Sequence, residues 1–122
     1  MIRKILVLLV ILFFSNIAHA GVYEDALAKN NYVFLYFYSP DCRTCNIFNP
    51  IFDNMKAKNK DYEFVKVNVQ TFYGMRLLSK FKGQYIPYII LTNSKQKKSV
   101  NVNHTCVMDE VCLTRAMKSF NR

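Results

Sequence analysis

The 122-residue chain contains no tryptophan, only two histidines, and 8 acidic residues against 17 basic ones. His104 is the single histidine beyond the first twenty residues, so the chain lacks the side chains for a Cys–His–Asn protease or a histidine-rich metal site. Its four cysteines are too few for disulfides to replace a hydrophobic core. No internal repeat or low-complexity linker occurs. These absences favour one ordinary packed domain.

No apolar run reaches the roughly 20 residues that a membrane-crossing helix needs. Instead, Arg3 and Lys4 precede an apolar run over residues 5–14, and Ala18-His19-Ala20 provides a small-x-small cleavage site. No cysteine stands at that site to accept a lipid. We therefore predict a signal peptide over residues 1–20 and a mature domain over residues 21–122, exported to the periplasm of a bacterium or otherwise secreted.

Positive charge dominates the mature chain as well. The predicted leader contains two basic residues and no acidic one, so its removal lowers the formal net charge from +9 to +7. The remaining lysines are scattered along the chain, which indicates a solvated basic surface rather than a nucleic-acid site. The aromatic run around Tyr36 is interpreted as core, not as a base-stacking platform.

The apolar pattern predicts eight segments in the order helix, strand, helix, strand, helix, strand, strand, helix. Tyr32–Tyr38 carries no charge, so we expect a central strand buried on both faces. A helix of about four turns should follow Cys42, and a shorter one should end near Gly83. The last helix is predicted from Asp109 onward, with Val111 among its apolar positions. This order indicates an α/β fold with a βαβ half followed by a hairpin and a closing helix.

Cys42 and Cys45 form a Cys-x-x-Cys pair between the first strand and the second helix. A cysteine in that position lies beside unpaired backbone N–H groups and the positive end of the helix dipole, which favour its thiolate. We predict that Cys42 attacks and that Cys45, one turn later and shielded, resolves. Arg43 adds a positive charge that should lower the pKa of Cys42 further.

Three features together resemble the thioredoxin-like family between about residues 32 and 120: Cys42-Arg43-Thr44-Cys45, Pro50 five residues after the second cysteine, and Ile86-Pro87. The resemblance implies a central mixed four-stranded sheet flanked by helices, and a protein disulfide oxidoreductase without a resident cofactor. It also implies that Pro87 is cis, that the Ile86 backbone meets an extended substrate, and that the proline keeps metal ions from the sulfurs.

The chain also departs from that family. Asp41 stands where thioredoxins carry a tryptophan, and Tyr36 stands where they carry a buried aspartate, so the proton acceptor is left open. Lys66 corresponds to the lysine that accompanies this aspartate; it either tunes the pKa of the site or is a solvent-exposed residue of an edge strand. The dipeptide between the cysteines, Arg43-Thr44, is also unlike the family's usual glycine-proline.

Cys106 and Cys112 have no counterpart in thioredoxin and fall between the last strand and the last helix. Four cysteines allow three pairings, and proximity favours the two local ones. A structural disulfide is one interpretation of this second pair, and a second redox pair that relays electrons to the first is the other. We favour the structural interpretation, in which the bond holds this loop and supports the last helix.

Two classes of function remain at this stage. The first is an enzyme that exchanges disulfides with protein thiols, as either oxidant or reductant, with a possible membrane redox partner and a monomeric state. The second is a non-catalytic thioredoxin-like binding module or a metallochaperone whose cysteines hold copper(I) or zinc. Ile86-Pro87 and the lack of nearby histidine or methionine ligands favour the enzyme.

Overall fold

The computed structural model describes residues 2–6 and 21–121. The predicted cleavage triplet and most of the predicted leader lie outside the described residues. Residues 2–6 are helical. Within the described part of the chain, no helix has both the length and the apolar character needed to cross a membrane.

The described domain alternates helices and strands in the predicted order. The elements are α1 (Val22–Lys29), β1 (Tyr32–Tyr38), α2 (Arg43–Lys58), β2 (Glu63–Asn68), α3 (Phe72–Lys80), β3 (Tyr88–Asn93), β4 (Lys98–Asn101), a short 3₁₀ helix (His104–Cys106) and α4 (Glu110–Phe120).

The strands form one mixed sheet in the order β2-β1-β3-β4. β1 pairs in parallel with β2 and antiparallel with β3, and β4 completes an antiparallel hairpin with β3. The parallel pair needs a crossover, which α2 supplies, whereas the antiparallel hairpin needs only a short turn. The central placement of β1 and the mixed four-stranded sheet flanked by helices are therefore confirmed.

The two faces of the sheet carry two separate cores, because successive side chains of β1 point to opposite sides. Phe34 and Tyr36 face a core built mainly with α2 and α4. Val33, Leu35 and Phe37 face a core built with α1 and α3. All five are fully buried, and burying a large apolar side chain stabilises the fold by roughly 1.5–3 kcal/mol. Covered on both faces, β1 is a rigid platform for the loop that follows it.

Helix α2 presents one apolar face to the sheet. Cys45, Phe48, Phe52 and Met55 recur at spacings of three or four, and all four are buried. Pro50 lies inside the helix. It has no N–H to donate to the Asn46 carbonyl four residues earlier, so the backbone ladder is interrupted in the N-terminal half of α2.

Helix α3 ends at Lys80, close to Gly83 as expected. The residue with left-handed backbone that follows it is Lys82, with a φ of 58°. The amide of Gly83 donates to the Leu78 carbonyl at 2.9 Å, and a side chain at position 83 would collide with that of Leu78, so close packing explains the glycine. Val111 is 67% exposed, because the apolar stripe of α4 consists of Leu113, Met117 and Phe120.

Candidate active site

Cys42 is the N-cap residue of α2. Its backbone is extended, with φ −87° and ψ 110°, and its sulfur accepts a hydrogen bond from the backbone N–H of Cys45 at 3.1 Å. The Thr44 hydroxyl lies 3.4 Å from the same sulfur. An N-cap acceptor satisfies an otherwise unpaired helix donor, and a negatively charged acceptor is favoured there by the helix dipole. The geometry therefore suits a thiolate at Cys42.

Cys42 and Cys45 are joined as a disulfide, with their Cα atoms 5.1 Å apart. Cys45 has no exposed surface and belongs to the core beneath α2, whereas Cys42 is half-buried. A partner molecule can therefore reach only the first sulfur. This arrangement fits the attacking and resolving roles predicted from the sequence, which stay predictions.

The loop before Cys42 is held by Gln70, a residue that the sequence did not indicate. Its side-chain amide donates to the Ser39 hydroxyl at 2.9 Å and to the Asp41 carboxylate at 2.8 Å. The Cys42 amide donates to the Ser39 carbonyl at 3.2 Å. Because β1 and β2 are parallel, their ends meet at one edge of the sheet, and the loop after β2 reaches the loop after β1. Only the strand pairing could have pointed to Gln70.

Tyr36 fills the position where the family resemblance implies a buried aspartate. Its side chain is fully buried, and its hydroxyl lies 3.1 Å from the Cys45 carbonyl oxygen and 2.8 Å from Oδ1 of Asn49. Burial, reinforced by neighbouring Tyr38, raises the pKa of Tyr36 well above its usual value. The hydroxyl therefore keeps its proton and acts as a donor. Among the described residues, the buried polar side chains include no carboxylate.

The Ile86–Pro87 peptide bond is cis. Pro87 is buried at the start of β3, and half-buried Ile86 packs against both cores. Tyr85, just before it, makes edge-to-face contacts with Tyr88 at 5.3 Å and with His104 at 6.0 Å between ring centroids. These contacts fix the loop. Binding of substrate to the Ile86 backbone stays a prediction.

The two cations predicted to tune the site occupy different places. Arg43 is the first residue of α2 and is exposed beside Cys42. Lys66 is exposed on β2, at the edge of the sheet, and its ammonium lies 4.3 Å from the centroid of the Tyr38 ring and 5.9 Å from that of Tyr36. It therefore rests on aromatic faces. An effect of either cation on the cysteine pKa stays a prediction.

The second cysteine pair also forms a disulfide, so both local pairings are confirmed. Cys106 in the 3₁₀ helix is 4% exposed, and Cys112 is half-buried in the first turn of α4. The Cys112 amide donates to the carboxylate of Asp109, the N-cap of α4, at 3.1 Å. The Cys106–Cys112 disulfide thus ties the segment after β4 to the last helix.

Within the described chain, no group of three or more metal-ligating His, Cys, Asp or Glu side chains occurs.

Comparison with known proteins adds a family to this geometry. The family model described as Thioredoxin matches residues 15–112. Thioredoxin from Mycoplasmoides gallisepticum is 31% identical over 76 residues, which cover 62% of this chain and 74% of that protein.

Solved structures share the fold at lower identity. A thioredoxin variant from Halobacterium salinarum has a TM-score of 0.70 at 21% identity, covering 85% of this chain and 87% of its own. The oxidised thioredoxin from Plasmodium falciparum has a TM-score of 0.65 at 14% identity, covering 84% and 92%. At such identities the likeness concerns the fold alone.

Proposed function

The chain belongs to the thioredoxin family and is a disulfide oxidoreductase, and we propose that it is exported and exchanges disulfides with protein substrates. The observation that carries the proposal is the placement of the pair: Cys42 caps α2 within reach of solvent, while Cys45 is buried one turn below it. Such a pair accepts a large partner at one sulfur and keeps the second sulfur for the intramolecular step.

In the reducing direction, the Cys42 thiolate attacks one sulfur of a substrate disulfide. A mixed disulfide forms with that sulfur, and the other substrate sulfur leaves as a thiolate. Cys45 then loses its proton and attacks the Cys42 sulfur, which forms the Cys42–Cys45 disulfide and releases the second substrate thiolate. Two electrons pass from the cysteine pair to the substrate, and two protons pass through water to the product thiols. The oxidising direction is the reverse.

A trapping experiment tests this mechanism. In Cys45→Ser, the mixed disulfide has no resolving thiol, so incubation of the reduced variant with scrambled, disulfide-bonded ribonuclease should give a covalent adduct on a non-reducing gel. Cys42→Ser is the matched control and should give none, because its remaining active-site thiol is buried. Equal adduct yields from the two variants would contradict the assigned roles.

Export is supported by the leader pattern at residues 1–20 and by the second disulfide, since disulfides persist in oxidising compartments. Helix α1 begins at Val22, two residues beyond the proposed cleavage. Expression of the full chain in a bacterium should yield a periplasmic protein whose first residue is Gly21. A cytoplasmic product that retains residues 1–20 would refute the proposed localisation and leave the disulfide chemistry intact.

The proposal extends to partners. A cysteine pair that is consumed in each cycle must be regenerated, and outside the cytoplasm a membrane-bound redox protein is the proposed source. We propose that the enzyme is a monomer, which sedimentation of the mature protein at several concentrations would test.

A further inference from the structure

The resolving cysteine is attached to the central strand through its backbone. The Cys45 N–H donates to the Cys42 sulfur at 3.1 Å, and the Cys45 carbonyl oxygen lies 3.1 Å from the Tyr36 hydroxyl. One residue therefore touches the nucleophile with its amide and the sheet with its carbonyl. Pro50 has no N–H to donate to the Asn46 carbonyl, so the backbone ladder of α2 lacks one bond in the turn that follows Cys45.

Tyr36 is itself immobile. It lies in the middle of β1, paired with Lys66 on one side and Ile89 on the other, and it has no exposed surface. Its ring makes an edge-to-face contact with Phe48 at 4.8 Å and a tilted contact with Phe52 at 5.2 Å. Because the ring is packed on all sides, its hydroxyl is held in one position beneath α2.

The hydroxyl has one proton and two acceptors within reach, the Cys45 carbonyl and the Asn49 side chain. Both contacts can form together if the Asn49 amide turns its NH₂ group toward the tyrosine oxygen, which leaves the proton for the carbonyl. The hydrogen bonds to Cys45 and Asn49 attach the first two turns of α2 to the sheet.

We propose that Tyr36 is a positioning residue for disulfide exchange: its hydroxyl anchors the Cys45 backbone to β1 and so keeps the Cys45 N–H aimed at the sulfur of Cys42. The N–H stabilises the Cys42 thiolate, so a loosened anchor lowers the thiolate fraction. It also lets the buried Cys45 sulfur depart from the line of attack on a mixed disulfide. The residue acts through Cys45 and does not touch the reacting sulfur.

The chain offers a matched control in Tyr62. Its hydroxyl lies 3.0 Å from the Met117 carbonyl and 2.7 Å from Oδ1 of Asn121, again a backbone carbonyl and an asparagine four residues later. Tyr62 is 5% exposed, so its environment is equally dry. It anchors the C-terminal end of α4 and not the helix of the Cys42–Cys45 pair. Tyr62→Phe therefore removes the same chemical group from the same kind of contact without touching the site.

The test compares Tyr36→Phe with Tyr62→Phe in the reduced state. In Tyr36→Phe, the apparent pKa of Cys42, taken from the pH dependence of its alkylation rate, should rise by about half a unit, which means about threefold less thiolate at neutral pH. The lifetime of a mixed disulfide with a cysteine-containing peptide should lengthen about fivefold. Tyr62→Phe should lower the melting temperature and change neither quantity. Equal shifts in both variants, or none in Tyr36→Phe, would overturn the proposal.

A measurement on the unmutated protein covers the case in which Tyr36→Phe does not fold. The hydroxyl protons of both tyrosines should exchange slowly enough to be observed by NMR. The Tyr36 signal should move between the oxidised and reduced proteins, because its acceptor belongs to a redox-active residue, whereas the Tyr62 signal should stay. If the two signals respond alike, the anchor is structural only.

Discussion

The two disulfides of this protein lie at the N-terminal ends of two helices that are capped by different groups. At α2 the sulfur of Cys42 is itself the N-cap, no acidic residue occupies the first turn, and Cys42 lies between Asp41 and Arg43. At α4 the N-cap is the carboxylate of Asp109, and Glu110 in the first turn pairs with Lys58 at 3.4 Å. The positive end of one helix is left for a thiolate, whereas that of the other is already occupied by the Asp109 carboxylate.

Exposure does not separate the two pairs. Each consists of one buried cysteine, Cys45 or Cys106, and one half-buried cysteine, Cys42 or Cys112. The accessibility of the cysteines therefore does not tell which of the two disulfides is the reactive one. The charge at the helix end is the feature that differs, and it acts on the pKa of the thiol that must attack.

The pairs also differ in what they connect. Cys42–Cys45 spans three positions at the start of a single helix, so opening it leaves α2 attached to the sheet by its own apolar face. Cys106–Cys112 spans six positions and joins the 3₁₀ helix after β4 to α4. A bond inside one element can open and close repeatedly, whereas a bond between two elements holds them together.

The largest expected difference is in thiol reactivity. In the fully reduced protein at neutral pH, iodoacetamide should label Cys42 at least tenfold faster than Cys112 or Cys45, because only Cys42 combines access with a favourable helix end. Peptide mapping by mass spectrometry after short exposures would give the three rates. Labelling in urea should bring them together. Equal labelling rates of the three cysteines under native conditions would show that neither access nor the helix end activates Cys42.

The next largest effect concerns stability. Replacing Cys106 and Cys112 together by serine should lower the free energy of unfolding by about 2 kcal/mol, the value for closure of a short loop, and lower Tm by roughly 10 °C in a domain of this size. Turnover with a disulfide substrate should stay within about twofold of the unmutated protein, since the structural interpretation gives this pair no part in the attack on substrate.

The reverse pair of replacements provides the control. Replacing Cys42 and Cys45 together by serine should abolish turnover altogether.

In the unmutated protein, graded dithiothreitol should open Cys42–Cys45 before Cys106–Cys112, because a stabilised Cys42 thiolate favours the reduced form of the first pair. A mixed bridge between Cys42 and Cys106 trapped during the cycle would establish the second pair as a relay.

The fold and the reactive pair were predictable because short stretches of sequence indicate both. The uncharged run of β1 indicated a central strand, and the spacing from Cys45 to Met55 indicated one buried helix face. A cysteine directly after a strand and before a helix is likewise a local pattern. Each of these signals depends on residues within a few positions of one another.

The support of the site was not predictable, because it depends on contacts between distant residues. Gln70 reaches Asp41 across 29 positions and Ser39 across 31. The sequence left open which group takes the place of the family's buried aspartate. Tyr36 occupies that position, and its hydroxyl reaches Cys45 and Asn49 only because α2 packs across the sheet. Lys66 was predicted within the second strand and lies there, but its contact with the ring of Tyr38 depends on strand register.

The smallest expected effect comes from the negative charge at the N-terminal end of α4. It tests directly whether that charge makes Cys112 less reactive than Cys42. Asp109→Ser keeps a side-chain oxygen to accept from the Cys112 amide, so α4 stays capped. The substitution removes one negative charge from the helix end. Thiolate at Cys112 should become more favourable by about 0.5 kcal/mol, and its alkylation rate in the reduced protein should rise about twofold.

Asp25→Asn gives the matched control, because Asp25 lies in the first turn of α1, which contains no cysteine. It makes the same change in net charge and should leave the Cys112 rate alone. High salt should narrow the difference between the two variants, since the effect is electrostatic and at the surface. If Asp109→Ser leaves the rate unchanged at low salt, the carboxylate cap is not what keeps Cys112 unreactive, and the charge at the helix end does not explain the contrast with Cys42.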